Sequence, residues 1–560
     1  MKRFYWGKGV VVGFLTSLVV MAVSYLGNLW LSLPFFPFDL FDWLARHLPG
    51  SVIEFGLRTI ISLITALHLG PTDSTAKLAE QVQALGLVAL TGMVFGLILA
   101  WIAMNKRAGL IQAGWVGGVV LWIGMAVVEI SLPNFTPAVL VALIYFLVLF
   151  IGWGSQLARF IKILTPEEIT VINETTPPTN APDTLLEKKI TRRNVLALAG
   201  TSLISAGVLL AGLAKFRQAN TGAGSTPTPV TGASVPPSNT FPYGPQYTSG
   251  PAASPSLAEL AARIEPAPWT RKEITPAGEL YQVDINTLPP QVDASTWHLN
   301  LIGLVNNPLT LTLDQIQAYP AVSQAVTLSC ISNLVGGDLI GTNYWTGVRI
   351  KDLLSDAGLK PDANEIAWTS TDGYFEGLSL QEAMDERSLL VYAMNGAPLT
   401  AKHGFPLRLY APGHYGMRLP KWIYEMKLIN GPNRGYWTAR GWSATAVPMT
   451  TSVIDTVDIN KSNFNQTGVM PLGGIAWAGD RGISKVELQI DSDPWVAAEL
   501  RNPAVSPLTW VQWRYDWKAA PGSHTVQVRA TNGAGQLQDP VTRYPSPEGA
   551  TGIHSVTINI

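Results

Sequence analysis

One cysteine, Cys330, stands in a chain of 560 residues. A single thiol excludes an intrachain disulfide and any zinc site built from several thiolates, so this sulfur is free for other chemistry. Charge is scarce as well. Only 14% of residues are charged and the net charge is -1, which leaves no overall field to gather nucleic acid. Histidine is sparse in the first half, where only His47 and His68 occur. A haem held in a bilayer needs paired axial histidines on facing spans, and neither of these lies in a firm apolar run, so no haem is expected. What the chain has in excess is apolar residues, 47% of the total, and a length too great for one core.

The excess is concentrated near the amino terminus. Four runs reach the roughly 20 apolar residues that a bilayer core demands: Gly9 to Leu33, Ala84 to Met104, Leu110 to Ile130 and Thr136 to Leu157. A fifth, Asn194 to Ala214, follows a polar segment. Basic residues flank each run on one side only: Lys2, Arg3 and Lys8; Lys106 and Arg107; Arg159 and Lys162; and Lys188, Lys189, Arg192 and Arg193. Positive flanks stay in the cytoplasm, which places everything after Ala214 outside. The stretch Val52 to Leu69 carries Glu54 and Arg58 and lacks a basic flank, so it reads as an amphipathic interfacial or re-entrant segment.

Residues 1–164 thus form a membrane domain of four spans and one interfacial segment, with 165–193 a cytoplasmic connector and 194–214 the fifth span. The segment TRRNVLALAGTSLISAGVLLAGLA resembles a twin-arginine export signal set inside the chain, although Val195 and Ala197 depart from the usual pattern. Gly212, Leu213 and Ala214 offer a small-residue cleavage site. Residues 215–260, rich in Pro, Gly, Ser and Thr, cannot bury a core and read as a disordered tether.

From residue 261 short strands and helices intermix, an α+β pattern that extends to 446. Cys330 ends the strand-like AVTLS and precedes a Gly-Gly turn, a second extended run, GTNYWTGV, and the amphipathic RIKDLLSDAG. On residue type alone it is either a small buried hydrophobe or a soft metal ligand. The stretch SCISNLVGGDLIGTNYWTGVRIKDLL, however, resembles the molybdenum-binding segment of the sulfite oxidase family of molybdopterin oxidoreductases. The resemblance implies that Cys330 gives a thiolate to molybdenum and is the catalytic metal ligand.

A second matching stretch runs from Leu389 to Ile429 and gathers His403, Arg408, His414, Arg418 and Lys421 among glycines. Guanidinium and ammonium donors beside open backbone amides suit a phosphate-bearing cofactor, and equally a solvated basic surface. The family resemblance implies the former. It places cofactor binding on Tyr281 and Gln282, on Ser370, on His403 and Arg408, and on Arg418, Leu419, Pro420 and Lys421. It implies a molybdenum-molybdopterin cofactor. The family's sulfite and nitrate enzymes follow their cysteine with arginines, whereas here Ile331, Ser332, Asn333 and Leu334 follow. That removes a bidentate oxyanion grip. Arg349 and Arg440 are the alternatives, and Trp345 and Tyr374 are candidate pocket walls.

From 447 to 560 short alternating strands with regular turns indicate an Ig-like β-sandwich, packed on Trp477, Trp495, Trp510, Trp513 and Trp517. It is similar to the dimerisation domain of sulfite oxidases. The expected whole is a multi-domain protein: all-α membrane helices, an α+β sulfite-oxidase-type molybdopterin domain and an all-β Ig-like sandwich. It would be a membrane-anchored oxidoreductase moving an oxygen atom on a small substrate, with sulfite oxidation as default. Sulfoxide reduction and a tethered binding module without metal are the competing readings. Expected partners are the substrate, an external electron carrier or quinone, the membrane and a second copy, with no nucleic acid.

Overall fold

The computed structural model describes residues 2–105, 109–132, 138–164, 183–221, 255–455 and 464–560. Much of the connector and tether, residues 165–182 and 222–254, lies outside these, as do Lys106 and Arg107. The chain divides into two compact units. The first comprises Met1–Leu48, Ser74–Asn220 and Asn286–Leu288, and the second Pro49–Asp73, Thr221–Ile285 and Pro289–Ile560.

Seven helices open the chain: α1 (Lys2–Leu31), α2 (Phe36–His47), α3 (Gly50–Leu67), α4 (Thr72–Asn105), α5 (Leu110–Ser131), α6 (Ala138–Leu164) and α7 (Asp183–Thr221). Among the described residues five stretches are long and apolar enough to cross a membrane: Trp6–Leu31, Thr72–Asn105, Leu110–Ser131, Leu140–Leu164 and Leu196–Lys215. Each overlaps one of the five apolar runs read from the sequence. The helices extend further than those runs, because backbone hydrogen bonding continues through polar residues that hydropathy does not count. Thus α4 begins at Thr72 rather than Ala84, and α7 takes in Asp183 to Arg193.

Glycines set how closely these helices pack. A Cβ on Gly13 would overlap the Gly92 carbonyl, one on Gly96 the Gly9 carbonyl, and one on Gly114 the Gly154 carbonyl. The spacings Gly9–Gly13, Gly92–Gly96 and Gly114–Gly118 are small-xxx-small faces, which bring backbones together where lipid supplies no hydrophobic drive. The same unit holds Asn286–Leu288: the Lys77 ammonium donates to the Asn286 carbonyl at 2.7 Å, and Asp42 accepts from the Thr287 N–H at 2.9 Å.

The second unit is β-rich. Its strands are β1 (Leu299–Gly303), β2 (Leu309–Leu311), β3 (Ala321–Ser329), β4 (Ile340–Arg349), β5 (Glu365–Ser370), β6 (Phe375–Ser379), β7 (Leu389–Met394), β8 (Ala397–Pro398), β9 (Arg408–Tyr410) and β10 (Ile423–Ile429). After them come β11 (Thr451–Ile454), β12 (Val469–Trp477), β13 (Ile483–Ile490), β14 (Val496–Ala497), β15 (Glu499–Leu500), β16 (Val511–Lys518), β17 (Ser523–Asn532) and β18 (His554–Asn559).

One sheet runs β2-β1-β10-β5-β6, with β1 parallel to β10, and another β3-β4-β7-β8 with β9 also on β7. Both contribute to one buried core that includes Leu299, Leu301, Val348, Ile366, Trp368 and Leu390. Two four-stranded sheets, β11-β12-β16-β15 and β14-β13-β17-β18, close over a second core around Met470, Leu488, Trp513 and Val526. Trp510 and Trp477 pack in a further cluster with Ile331 and Tyr415, so they join the sandwich to the Cys330 loop rather than filling the sandwich. Folded structure resumes earlier than the composition suggested, at the helix Leu257–Ala261, where Ser256 and Glu259 cap each other's backbone N–H.

Candidate active site

Cys330 follows the last residue of β3, and antiparallel pairing of Ser329 with Ile340 closes the ten residues between β3 and β4 into a loop. Three contacts hold that loop. The Cys330 N–H donates to the Leu339 carbonyl at 2.9 Å, the Asn333 N–H to the Cys330 carbonyl at 3.1 Å, and the Leu339 N–H to the Asn333 side chain at 3.0 Å. Gly336 turns at φ +85, and a Cβ there would strike the His554 ring, so glycine is needed at this point. The cysteine is therefore held by backbone contacts on both sides, with its sulfur 3.0 Å from the Ser332 hydroxyl. Burial pushes the thiol's pKa up, while the Ser332 hydroxyl and the Lys421 ammonium act in the opposite sense.

Around it lie residues from three distant parts of the chain. Tyr281 feels the charges of both Cys330 and Arg408, and its phenol is held above its usual pKa by burial. Gly416 lies beside it: a Cβ there would stand 3.3 Å from the Tyr281 hydroxyl. Gln282 is buried and donates to Asp284 at 2.8 Å, and its own N–H donates to Asp73 at 3.0 Å. Asp284 in turn accepts from Lys421 at 3.2 Å, and Lys421 donates to the Lys402 carbonyl at 3.0 Å. Burial pulls Lys421 down to about 8 despite that carboxylate.

His403 ends the 3-10 turn Ala401–His403 and is 2% exposed. Burial, and the nearby Lys402, Lys421 and Arg408, hold its imidazole well below the usual histidine range. Its Nε2 has no hydrogen-bond partner among the described residues. Arg408 opens β9, donates to the His403 carbonyl at 3.3 Å and lies 4.7 Å over the Trp345 ring, while burial lowers it to about 10. Ser370 ends β5 opposite Ile423 of β10, is 1% exposed, and its hydroxyl is also without a partner.

Electrostatic contacts thus link Tyr281 to Cys330 and Arg408, Cys330 to Lys421, and His403 to Arg408 and Lys421. Leu419 and Pro420 act through the backbone, the Leu419 N–H donating to Gly416 and the Pro420 carbonyl accepting from Leu409 at 2.9 Å. Arg418 differs. Its guanidinium donates to Glu376 at 3.0 Å, a carboxylate with no exposed surface that burial pushes up to about 7. A Cβ on Gly435 would occupy the place of that carboxylate. Arg418 therefore anchors the turn Gly416–Arg418 that leads into Lys421.

Sequence reasoning missed Asp284, Lys402 and Ser332. Asp284 lies two residues beyond Gln282 and Lys402 one before His403, so proximity to the named residues was the available signal. His414 pairs with Glu382 at 2.9 Å. Arg349 is paired with Glu386 at 3.1 Å, and Arg440 lies 3.6 Å over the Tyr436 ring. Trp345 is fully buried under Arg408, and the Tyr374 hydroxyl donates to the Met417 carbonyl at 2.6 Å.

Two buried cations, Arg408 and Lys402, the largely buried Lys421 and a positioned thiol, with His403 Nε2 and the Ser370 hydroxyl unpartnered among the described residues, suit a phosphate-bearing cofactor with a soft metal. Comparison with known proteins gives the same chemistry. The domain family described as "Oxidoreductase molybdopterin binding domain" matches residues 286–437. An uncharacterized oxidoreductase of Bacillus subtilis, YuiH, is 32% identical over 161 residues, 29% of this chain and 79% of its own length. Mitochondrial sulfite oxidase of Rattus norvegicus is 28% identical over 319 residues, 48% of this chain and 58% of the relative. A chain of Azospira oryzae, YedZ1, described as a candidate protein-methionine-sulfoxide reductase subunit, is 30% identical over 153 residues, 27% of this chain and 56% of its own.

Proposed function

Because the chain belongs to the sulfite oxidase family of molybdopterin-dependent oxidoreductases, we propose that it is a membrane-anchored enzyme moving an oxygen atom on a small substrate outside the cytoplasm. The observation that carries this is the His403 Nε2, without a hydrogen-bond partner among the described residues, near buried Arg408 and Lys402 and the largely buried Lys421. Buried donors without partners are costly in a folded protein, and an anionic ligand relieves that cost.

In this reading the cofactor is molybdenum-molybdopterin, which when bound supplies two-electron oxygen-atom transfer. Cys330 would give its thiolate to the metal, its sulfur lying 3.0 Å from the Ser332 hydroxyl. Arg408 and Lys421 would hold the phosphate, Lys421 being set in place by Asp284. His403, held neutral by burial and then by its charged neighbours, would donate through a nitrogen rather than adding charge. Tyr281, Gln282 and Ser370 complete the cradle, with Arg418, Leu419 and Pro420 shaping the turn.

Five candidate spans, with the basic flanks read above, support the reading of a multi-pass cell-membrane protein with an extracytoplasmic catalytic domain. Delivery uses the twin-arginine segment, and cleavage near Ala214 would release the enzyme. The Ig-like sandwich is the surface for a second copy, and electrons pass to or from an external carrier or quinone without a haem in the chain. Sulfite oxidation is the default substrate chemistry. Sulfoxide reduction is the second reading, favoured by the absence of arginine after Cys330 and by the engagement of Arg349 with Glu386 and Arg440 with Tyr436.

Purified full-length protein from a cofactor-competent host should carry close to one molybdenum per chain. Cys330→Ser should lower turnover by more than about a hundredfold while the fold, read by circular dichroism, stays intact. Full turnover in that variant with molybdenum bound overturns the assignment, and absence of metal in the parent protein points to a binding module. Steady-state comparison of sulfite with methionine sulfoxide then separates the two directions.

A further inference from the structure

Helix α3 lies between two elements of the helical unit yet belongs to the β-rich one. Its inner face is settled. Ile61 and Ile64 are buried, the Arg58 guanidinium lies 4.4 Å over the Tyr544 ring, and Gly50 abuts the Arg440 carbonyl. The residues after it are held too: the Thr72 N–H donates to Asp338 at 2.9 Å, and Asp73 accepts from the Gln282 N–H.

The opposite face would be polar if water covered it. Instead Val52, Phe55, Leu63 and Leu67, spaced to fall on one side of a helix, are 48%, 72%, 52% and 62% exposed, with Thr59 the polar residue among them. Only Leu48 and Pro49 separate α3 from α2, and only residues 68–71 separate it from α4, a candidate span. Four linking residues reach about 18 Å at most, so the helix cannot leave the neighbourhood of the bilayer.

We propose that α3 is a lipid-surface docking helix of the catalytic unit, its Val52–Phe55–Leu63–Leu67 face lying in the headgroup region while its other face grips the unit that carries Cys330. The apolar run of α4 starts only at Ala84, twelve residues after α4 begins, so nothing in the chain draws α3 into the acyl core. Arg58 on this helix pairs with Glu54, so the interaction relies on apolar contact and neutral lipid suffices. The docking would hold the catalytic unit on the membrane even after cleavage near Ala214. It stands apart from the molybdenum assignment, and either can fail without the other.

The test uses the full chain with Cys330→Ser, so that a fluorescent label goes only to Phe55→Cys, Leu63→Cys or, as a water-exposed reference, Lys272→Cys. In phosphatidylcholine vesicles containing lipids spin-labelled near the headgroup, the labels at 55 and 63 should lose at least about half their emission. The reference at 272 should lose little, and added phosphatidylglycerol should change neither. Absence of quenching at 55 and 63 overturns the proposal. So does stronger quenching by midplane-labelled lipid, which means a crossing segment, or disulfide pairing between copies through position 55, which means a second copy covers the face. A measurement on the unsubstituted chain guards against a labelling artefact: photoactivatable phosphatidylcholine should attach to the peptide spanning residues 50–69, and its absence from that peptide also overturns the proposal.

Discussion

At the scale of single residues, burial decides the chemistry of the site more than residue type does. Arg408, Lys421 and His403 would each be an ordinary surface donor in water, and desolvation lowers the pKa of all three here. Glu376 shows the same effect with a measurable consequence. Its folded pKa is about 7 against an ordinary value of 4.5, so the folded state keeps a proton that the unfolded chain releases between those values. Stability therefore falls as pH rises from about 4.5 to 7, by up to about 3 kcal/mol from this group. Denaturant titrations at pH 5 and pH 8 should show that loss in the parent protein and a flatter profile in Glu376→Gln. An unchanged slope in the variant would place the titration elsewhere. Neither Glu376 nor its partner Arg418 announced this pairing in the sequence, where 42 positions separate them. Cys330 stood out in the sequence through the family resemblance of SCISN and the residues after it, since a lone thiol by itself reads equally as a small buried hydrophobe.

Secondary-structure elements act here mainly by how closely they approach. The Cys330 loop is rigid because β3 and β4 pair through nine successive positions, Ala321 with Val348 to Ser329 with Ile340, and leave little freedom at its ends. In the helical unit the backbone contacts at Gly13 with Gly92 and Gly96 with Gly9 leave no room for a side chain. Gly96→Val should therefore separate α1 from α4 and destabilise the fold by about 1–3 kcal/mol, seen as a lower thermal midpoint in detergent. Gly86→Ala, on the same helix but with open space around it, should leave that midpoint unchanged. The apolar runs were readable from composition, since a bilayer imposes its thickness on any span. Which glycines meet was not, because the small-xxx-small spacing occurs at several places and only packing selects the partners.

For the whole molecule the proposal to test is the route by which the cofactor-binding unit would reach the outer side of the membrane. If the segment from Thr191 delivers a folded domain, Arg192→Lys with Arg193→Lys should leave catalytic activity inside the cell, measured as activity in intact cells against lysed ones. Normal external activity in that variant would count against this route. The sequence by itself determined the number of apolar helices and the family, since each depends on a local run or motif whose physics is nearly independent of context. The tertiary structure alone decided that Asp284 orients Lys421, that Arg418 serves Glu376, and that α3 packs with the catalytic unit. Those facts rest on groups far apart in the chain being desolvated together, and no local pattern encodes which distant partner will share the same buried space.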